Sequence, residues 1–433
     1  MTGRQIKLAW HFKPGNDWRS ADGDIDDLYS AARVANVART AEAALLDMLF
    51  QADTYEFRPT DAEHTAPRFT DPFSTLGAAA AVTERIGLVA TASTTLNEPY
   101  ALARQISTLD LLSQGRAGWN AVTSFKGFDK FGRDIPDPQW RYERADEFLD
   151  VVKSLWASWG DNSVIFDRSR GRFADSSAIA DVDFAGHHLS VHGAGALPRS
   201  RQGQPVVFQA GASAEGLLLA AQHADAVFSA SPDLIHATKF YRELKEKVRG
   251  AGRDEAQLLV FKGYNLTIAP TRNEARERFH SHAGTTNYVA ARRNLESYLG
   301  GVDLSDIDLD DPLPLNRLPE PASASGIRSR IEIYRELAAR PRARFRDVLD
   351  TLQRGQGHYS TWGSPDDITD DLIRWFNNRA ADGFVLSFFG PGNQFTEFRD
   401  EVIPRLQDRG YFRRSYKGTT LRENLGLSPA SSL

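Results

Sequence analysis

The chain has 433 residues and no cysteine. That excludes disulfides, thiolate metal sites, iron–sulfur ligation and cysteine nucleophiles. No apolar run is long enough to span a bilayer, and the opening MTGRQIKLAWHF lacks the apolar core of a signal peptide. A cytoplasmic protein without a membrane partner is expected. Net charge is −5 and no basic run is dense, so no nucleic-acid partner is expected either. The sequence also lacks a phosphate-binding P-loop, a Ser-His-Asp nucleophile elbow and a Gly-x-Gly-x-x-Gly turn after its first strand. The nearest match, Gly193-Ala194-Gly195, has Pro198 in place of the third glycine. The histidines offer no metal-ligand spacing, and no metal is expected. His187, His188 and His192 lie in a turn-rich stretch, and His280 and His282 fall on different faces of a helix.

A hydrophobic share of 41% with 25% charged residues suits a globular chain with a large core. Short apolar runs alternate with longer amphipathic stretches. Strands are expected over 6–12, 46–52, 86–91, 118–123, 205–210, 226–230, 258–267 and 383–389. Helices are expected near 26–44, 71–83, 100–112, 141–158, 214–223, 233–250, 272–299, 365–382 and 396–408. Eight strands alternating with helices predict an α/β protein closed into a parallel (β/α)8 barrel of the TIM type. An open doubly wound sheet is the alternative, weakened by the missing glycine fingerprint. Two stretches exceed ordinary loop length, about 160–204 and about 300–362. The first reads as a hairpin-containing insertion after barrel helix 4. The second, between strands 7 and 8, joins an acidic, proline-containing segment to a basic helix-like region over 327–352. The chain reads as one barrel domain with a C-terminal tail over 411–433.

Functional residues of such a barrel cluster at the C-terminal ends of its strands. This selects His11 and Phe12, Asp53, Ser93 to Thr95, Trp119, Asn120 and Thr123, Gln209, Gly211, Ser213 and Ser387. The set is rich in hydroxyls, amides and aromatics and poor in acid–base pairs. His11 is either a hydrogen-bonded structural residue or a functional one. Asp53 either binds a ligand or caps a loop. Asn120 is a buried amide that needs partners, from a ligand or from a polar barrel layer. In PVVFQAGASAEG, from Pro205, a strand meets a helix through a small-residue turn. Free N–H groups and the Ser213 hydroxyl there make an anion site, unless Ser213 only caps the helix. A phosphate site beneath an aromatic, hydrogen-bonding mouth suits a phosphorylated cofactor better than hydrolysis.

These segments resemble the bacterial luciferase-like flavin monooxygenases. The group concerned contains nitrilotriacetate, dibenzothiophene-sulfone and long-chain alkane monooxygenases. The resemblance runs through LDMLFQAD ending at Asp53, GLVATASTTLNEPY, STLDLLSQGRAGWNAVTS, RYERADEFLDVVKSLWASW, QGQPVVFQAGASAEG, GSPDDITDDLIRWF and RGYFRRSYKGTTLRENLGL. It implies a (β/α)8 barrel with insertions that takes reduced FMN from a separate flavin reductase. With O2 such a protein oxygenates a small organic substrate through a flavin C4a-(hydro)peroxide, and the aromatic mouth hints at a heteroaromatic one. A deazaflavin-dependent oxidoreductase and a non-catalytic flavin-binding protein are the alternatives. A homo-oligomer, dimer or tetramer, is expected.

Carried over residue by residue, the resemblance implies FMN contacts at Asp53, Thr94, Thr95, Asn120, Tyr142, Gly211, Ala212 and Ser213. Thr95 is favoured over Thr94, and Ser213 with the Gly211 and Ala212 N–H groups is expected on the phosphate. His11 and Asn120 are the catalytic candidates. The substrate pocket is expected from His11, Phe12, Tyr55, Phe57, Trp119, Phe125 and Trp362. One departure stands out. Many relatives carry a histidine four residues before the tyrosine, where this chain has Pro138, which offers neither a side-chain donor nor an N–H. Gln139 or Trp140 is the expected replacement. A polycarboxylate substrate would need convergent cations, and the sequence places only Lys13, Arg19 and Lys126 near the mouth.

Overall fold

The computed structural model describes residues 3–14, 25–63, 66–67, 69–211, 213–283, 287–321, 328–355, 358–390 and 393–430. Its strands, in chain order, are β1 (Lys7–His11), β2 (Met48–Gln51), β3 (Gly87–Ser93), β4 (Ala117–Val122), β5 (Val164–Asp167), β6 (Arg172–Ala174), β7 (Val182–Ala185), β8 (Ser190–Gly193), β9 (Val206–Gln209), β10 (Ala226–Ser229), β11 (Leu259–Ile268), β12 (Tyr359–Gly363) and β13 (Gly383–Phe388). Eight of them close a parallel barrel in the order β1-β2-β3-β4-β9-β10-β11-β13, with β13 pairing back onto β1. These eight coincide with the eight expected strands.

Alternation along each strand sorts the side chains. Ala9, Met48, Phe50, Val89, Val206, Phe208, Ala226, Phe261 and Val385 share one cluster inside the barrel. Their neighbours Leu8, Leu49, Leu88, Phe384 and Leu386 belong to the layer under the helices. Leu421, Leu425 and Leu427 complete the inner cluster, so the tail plugs the barrel's N-terminal end. Leu421 starts a short helix held by a Thr420–Glu423 capping box. Arg422 grips Asp225 at 2.9 Å, and Lys7 Nζ donates to the Asn424 carbonyl at 2.7 Å.

The surrounding helices start where side chains can satisfy their free N–H groups. Ser30, Asp71, Asp137, Ser213, Asp233 and Ser364 each cap one. Pro138 opens the helix Pro138–Ala157, a position where a missing N–H costs nothing.

The first insertion carries two antiparallel hairpins, β5–β6 and β7–β8. The expected single helix over 272–299 is instead two, Arg272–Ala283 and Tyr288–Tyr298, with Asn287 capping the second. Helices Arg328–Ala338 and Phe345–Gly355 then build a separate core around Tyr334, Phe345 and Leu349. Leu304, Leu313 and Leu318 of the acidic segment are buried in it. The strand β12 was not expected. Its sequence, YSTWG, has no apolar alternation, yet it pairs with Tyr264–Ile268, above the point where β10 leaves β11 at Lys262. Among the described residues no helix is long and apolar enough to cross a membrane.

Candidate active site at the barrel mouth

At the end of β9 the chain turns through Gly211 and enters the helix Ala214–His223 at Ser213. Ser213 Oγ accepts the Gly216 N–H at 3.1 Å and donates to the Tyr142 hydroxyl at 3.2 Å. Tyr142 arrives on the helix Pro138–Ala157. A Cβ on Gly211 would stand 3.4 Å from the Tyr142 oxygen, and one on Gly216 3.3 Å. The closest approaches are within the turn itself, 2.6 Å from a Gly211 Cβ to Gln209 Nε2 and 3.2 Å from a Gly216 Cβ to the Gly211 backbone, so both glycines let the turn pack tightly beside the phenol. A hydroxyl, a phenol and a helix N-terminus therefore converge on one point, a favourable place for an anion. Ala212 lies outside the described residues.

The adjacent sector of the mouth is built by β3 and β4. Asn120 Nδ2 donates to Thr91 Oγ1, its direct neighbour on the adjacent strand, at 2.9 Å. The loop after β3 is held rigidly. Ser93 Oγ accepts the Thr95 and Leu96 N–H groups, each at 3.1 Å, and Asn97 Nδ2 donates to the Ser93 carbonyl at 2.8 Å. Buried Arg144 bonds the Thr94 carbonyl and, at 3.1 Å, the Asn97 carbonyl. The Thr94 hydroxyl is committed to the Val122 carbonyl at 3.3 Å. Thr95 Oγ1 and Asn120 Oδ1 are buried with no partner among the described residues. A ligand atom that met them would remove a real desolvation cost.

Asp53 stands half-buried after β2, its Oδ1 accepting the Thr54 N–H at 2.8 Å. Burial pushes its carboxyl up to about 6, against the opposing pull of that N–H. Tyr55 meets the Phe131 ring edge-on at 5.0 Å. His11 ends β1 on the inward side, its Nδ1 3.2 Å from Ser387 Oγ on β13. The helix Tyr288–Tyr298 reaches these loops: Lys126 Nζ lies 4.5 Å from the Tyr298 ring and 2.9 Å from Glu56 Oε2.

Three expected pocket residues point elsewhere. Trp119 is 0% exposed, donates Nε1–H to the Ala92 carbonyl at 3.1 Å and packs on Phe148 and Trp156, in the helical layer. Phe12 is likewise in the outer layer. Trp362, on β12, lies against Phe279 at 4.8 Å and His280 at 5.5 Å. Phe125 is half-buried in the loop after β4, and Phe57 is exposed. Neither residue expected to replace the histidine at 138 turns inward. Gln139 bonds Glu143 on an exposed surface, and Trp140 packs against His188. Sequence reasoning missed Arg144 and Asn97, which hold the loop after β3. Arg144 alone had a local signal, a charge in the apolar stripe of its helix. Arg19 lies outside the described residues.

A family model described as luciferase-like monooxygenase matches residues 14–383. The chain belongs to that family. N-acetyl-S-(2-succino)cysteine monooxygenase of Bacillus subtilis (strain 168) is 37% identical over 432 residues, 98% of this chain and 97% of that one. Nitrilotriacetate monooxygenase component A of Aminobacter aminovorans is 39% identical over 444 residues, again 98% and 97%. A crystal structure of a riboflavin lyase with modified FMN and riboflavin superposes with a TM-score of 0.87 at 27% identity, over 98% of this chain and 97% of the other. This luciferase-like protein is thus a flavin-dependent monooxygenase on an α/β TIM barrel.

Proposed function

We propose that this luciferase-like protein is the oxygenase component of a two-component system, taking reduced FMN from a separate flavin reductase and using O2 to oxygenate a small organic molecule. The observation that carries the choice of FMN is the Ser213–Tyr142 contact over bare Gly211 and Gly216. These groups suit a terminal phosphate. Thr95 Oγ1 and Asn120 Oδ1, both buried without partners among the described residues, suit the polar edge of a flavin lying toward β3 and β4. Bound reduced FMN supplies the activation of O2. The chain's own task is to orient the ring and keep water out. Tyr55, packed on Phe131, and the helix Tyr288–Tyr298, reached by Lys126, border the loops on this side. His11, fixed by Ser387, is the titratable group placed to hold a proton at Nε2 beside the substrate. The heteroaromatic hint loses its support, because Trp119, Phe12 and Trp362 face the helices.

The test compares FMN, riboflavin and a deazaflavin as ligands of the native protein and of Ser213→Ala. Native protein is expected to prefer FMN, and the substitution to weaken FMN by about 1–2 kcal/mol, as for a hydrogen bond to a charged group, with riboflavin unchanged. Preference for the deazaflavin would move the reading to hydride transfer. Reoxidation of bound reduced FMN by O2 with no oxygenated product from any of a panel of small organic acids, thioethers and aromatics would leave only a flavin-binding protein.

A further inference from the structure

The helix Pro138–Ala157 carries Gln139, Glu143 and Glu147 four positions apart, so the three share one face. Against that face lies the turn between β7 and β8, residues 186–189. Glu147 holds this turn by its backbone. Its Oε1 accepts the His187 N–H at 2.7 Å, and its Oε2 accepts the His188 and Leu189 N–H groups, each at 2.9 Å. Position 186 must be glycine for the turn to come so close, because a Cβ there would stand 2.5 Å from Glu147 Oε2. The clamp fixes the backbone of two consecutive histidines.

Both of their rings approach Glu143. His188 Nε2 lies 3.3 Å from His187 Nδ1 and 3.2 Å from Glu143 Oε2. One ligand atom from each of the three residues lies within 4.8 Å of the other two. The His188 side chain is 4% exposed, with the Trp140 ring packed against it at 5.3 Å, while Glu143 and His187 open to solvent. Gln139 Nε2 orients Glu143 by donating to its Oε1 at 2.7 Å. That bond, and His188 after it, hold the Glu143 carboxyl below the ordinary carboxylate range, so it is ionised at neutral pH.

A proton serves this arrangement poorly. An imidazole nitrogen offers either one N–H or one lone pair. With the proton on His188 Nε2, a single N–H is divided between His187 and Glu143. Without it, a lone pair faces a carboxylate. One cation would satisfy all three atoms at once. The spacing also fits, since two ligands of a tetrahedral ion bound at about 2.0–2.1 Å stand about 3.3 Å apart. Asp146, Asp150 and His223 gather in a similar way farther along the same helix. There, however, Lys153 Nζ stands 3.5 Å from His223 Nδ1 and already brings a positive charge.

We propose that Glu143, His187 and His188 form a binding site for a divalent transition ion of the zinc type, with Gln139 and Glu147 as its outer supports. Two imidazoles and one carboxylate suit zinc and disfavour magnesium and calcium, which take oxygen ligands. Outer hydrogen bonds of this kind orient the ligands of a metal. The exposed side of the cluster leaves a fourth position for water. The ion would brace the β7–β8 hairpin against the helix whose Tyr142 meets Ser213. Histidine spacing alone conceals such a site, because its carboxylate stands 45 positions before His188.

The test titrates Zn²⁺ into untagged full-length protein in competition with a chromophoric chelator, with Mg²⁺ as the control ion. One zinc per chain is expected, and zinc but not magnesium should raise the melting temperature. His187→Ala and Glu143→Gln alter exposed side chains, and each should weaken zinc by about tenfold or more. Asp150→Asn, in the neighbouring cluster, should leave zinc affinity within about twofold. Cobalt in place of zinc should give the intense visible bands of a four-coordinate ion. Absence of stoichiometric zinc binding by the native protein overturns the site. Zinc affinity retained in both His187→Ala and Glu143→Gln overturns it too, as does affinity lost in Asp150→Asn, which would place the ion at His223. The weak bands of six-coordinate cobalt would mark a loosely held surface ion and count against the proposal.

Discussion

Ser213 Oγ and the Tyr142 hydroxyl stand 3.2 Å apart, though 71 positions separate them in the chain. The contact ties the turn after β9 to the helix after β4, so Ser213 does more than cap its own helix. Tyr142→Phe keeps the ring and removes the oxygen. FMN affinity is expected to fall about tenfold, the size of a lost hydrogen bond to a charged group, with riboflavin affinity unchanged. Equilibrium flavin fluorescence reads both, and equal losses for the two ligands would detach Tyr142 from the phosphate.

The two threonines after β3 should respond in opposite ways. Thr94→Val deletes a bond to the Val122 carbonyl and should cost about 1 kcal/mol of stability with little effect on flavin. Thr95→Val removes a buried hydroxyl without a partner among the described residues, so stability should hold or rise while flavin affinity drops. Urea unfolding of the flavin-free protein, paired with flavin titration, separates the two. Loss of flavin affinity only in the Thr94 variant would reverse the assignment.

Asp53 makes a pH prediction whose sign is fixed. Burial raises its folded-state carboxyl to about 6 from an ordinary 3.8. The folded protein therefore binds more protons than the unfolded chain between those values, and Asp53 costs stability as pH rises through them. Asp53→Asn keeps an acceptor for the Thr54 N–H and carries no charge. Its stability relative to the native protein should improve steadily from about pH 4 to about pH 6 and then level off. Urea midpoints across that window check this, and a constant margin would contradict it.

Trp119 sits in the family-like segment GWN yet should matter only to stability. Trp119→Phe loses the bond to Ala92 and some packing against Phe148 and Trp156, about 1–3 kcal/mol together. Thermal melting should shift downward while KM for any accepted substrate stays put. A changed KM with an unchanged melt would return Trp119 to the pocket.

The barrel strands were legible because strands buried on both faces are written as short continuous apolar runs, as in Val206-Val207-Phe208 between Pro205 and Gly211. β12 escaped because YSTWG derives its pairing from its position beside β11 and carries little apolar pattern of its own. The faces of Trp119 and Phe12 were open to a parity argument. If Asn120 and His11 look into the barrel, each adjacent aromatic must look out. Arg330 and His358 had no such signal. They lie on opposite sides of the helix Phe345–Gly355 in the chain and meet only because the second insertion folds back over β11.

The plug formed by Leu421, Leu425 and Leu427 carries a consequence for biosynthesis. Every residue named at the mouth is translated before it. A chain interrupted ahead of Thr420 would hold the whole mouth set, from His11 to Ser387, above an unsealed apolar bore. Such a fragment exposes Met48, Val89 and Phe261 to water from below and is marked for aggregation or proteolysis. Possession of the reactive end is thereby made conditional on synthesis through the plug, and an unfinished oxygenase is denied a stable existence.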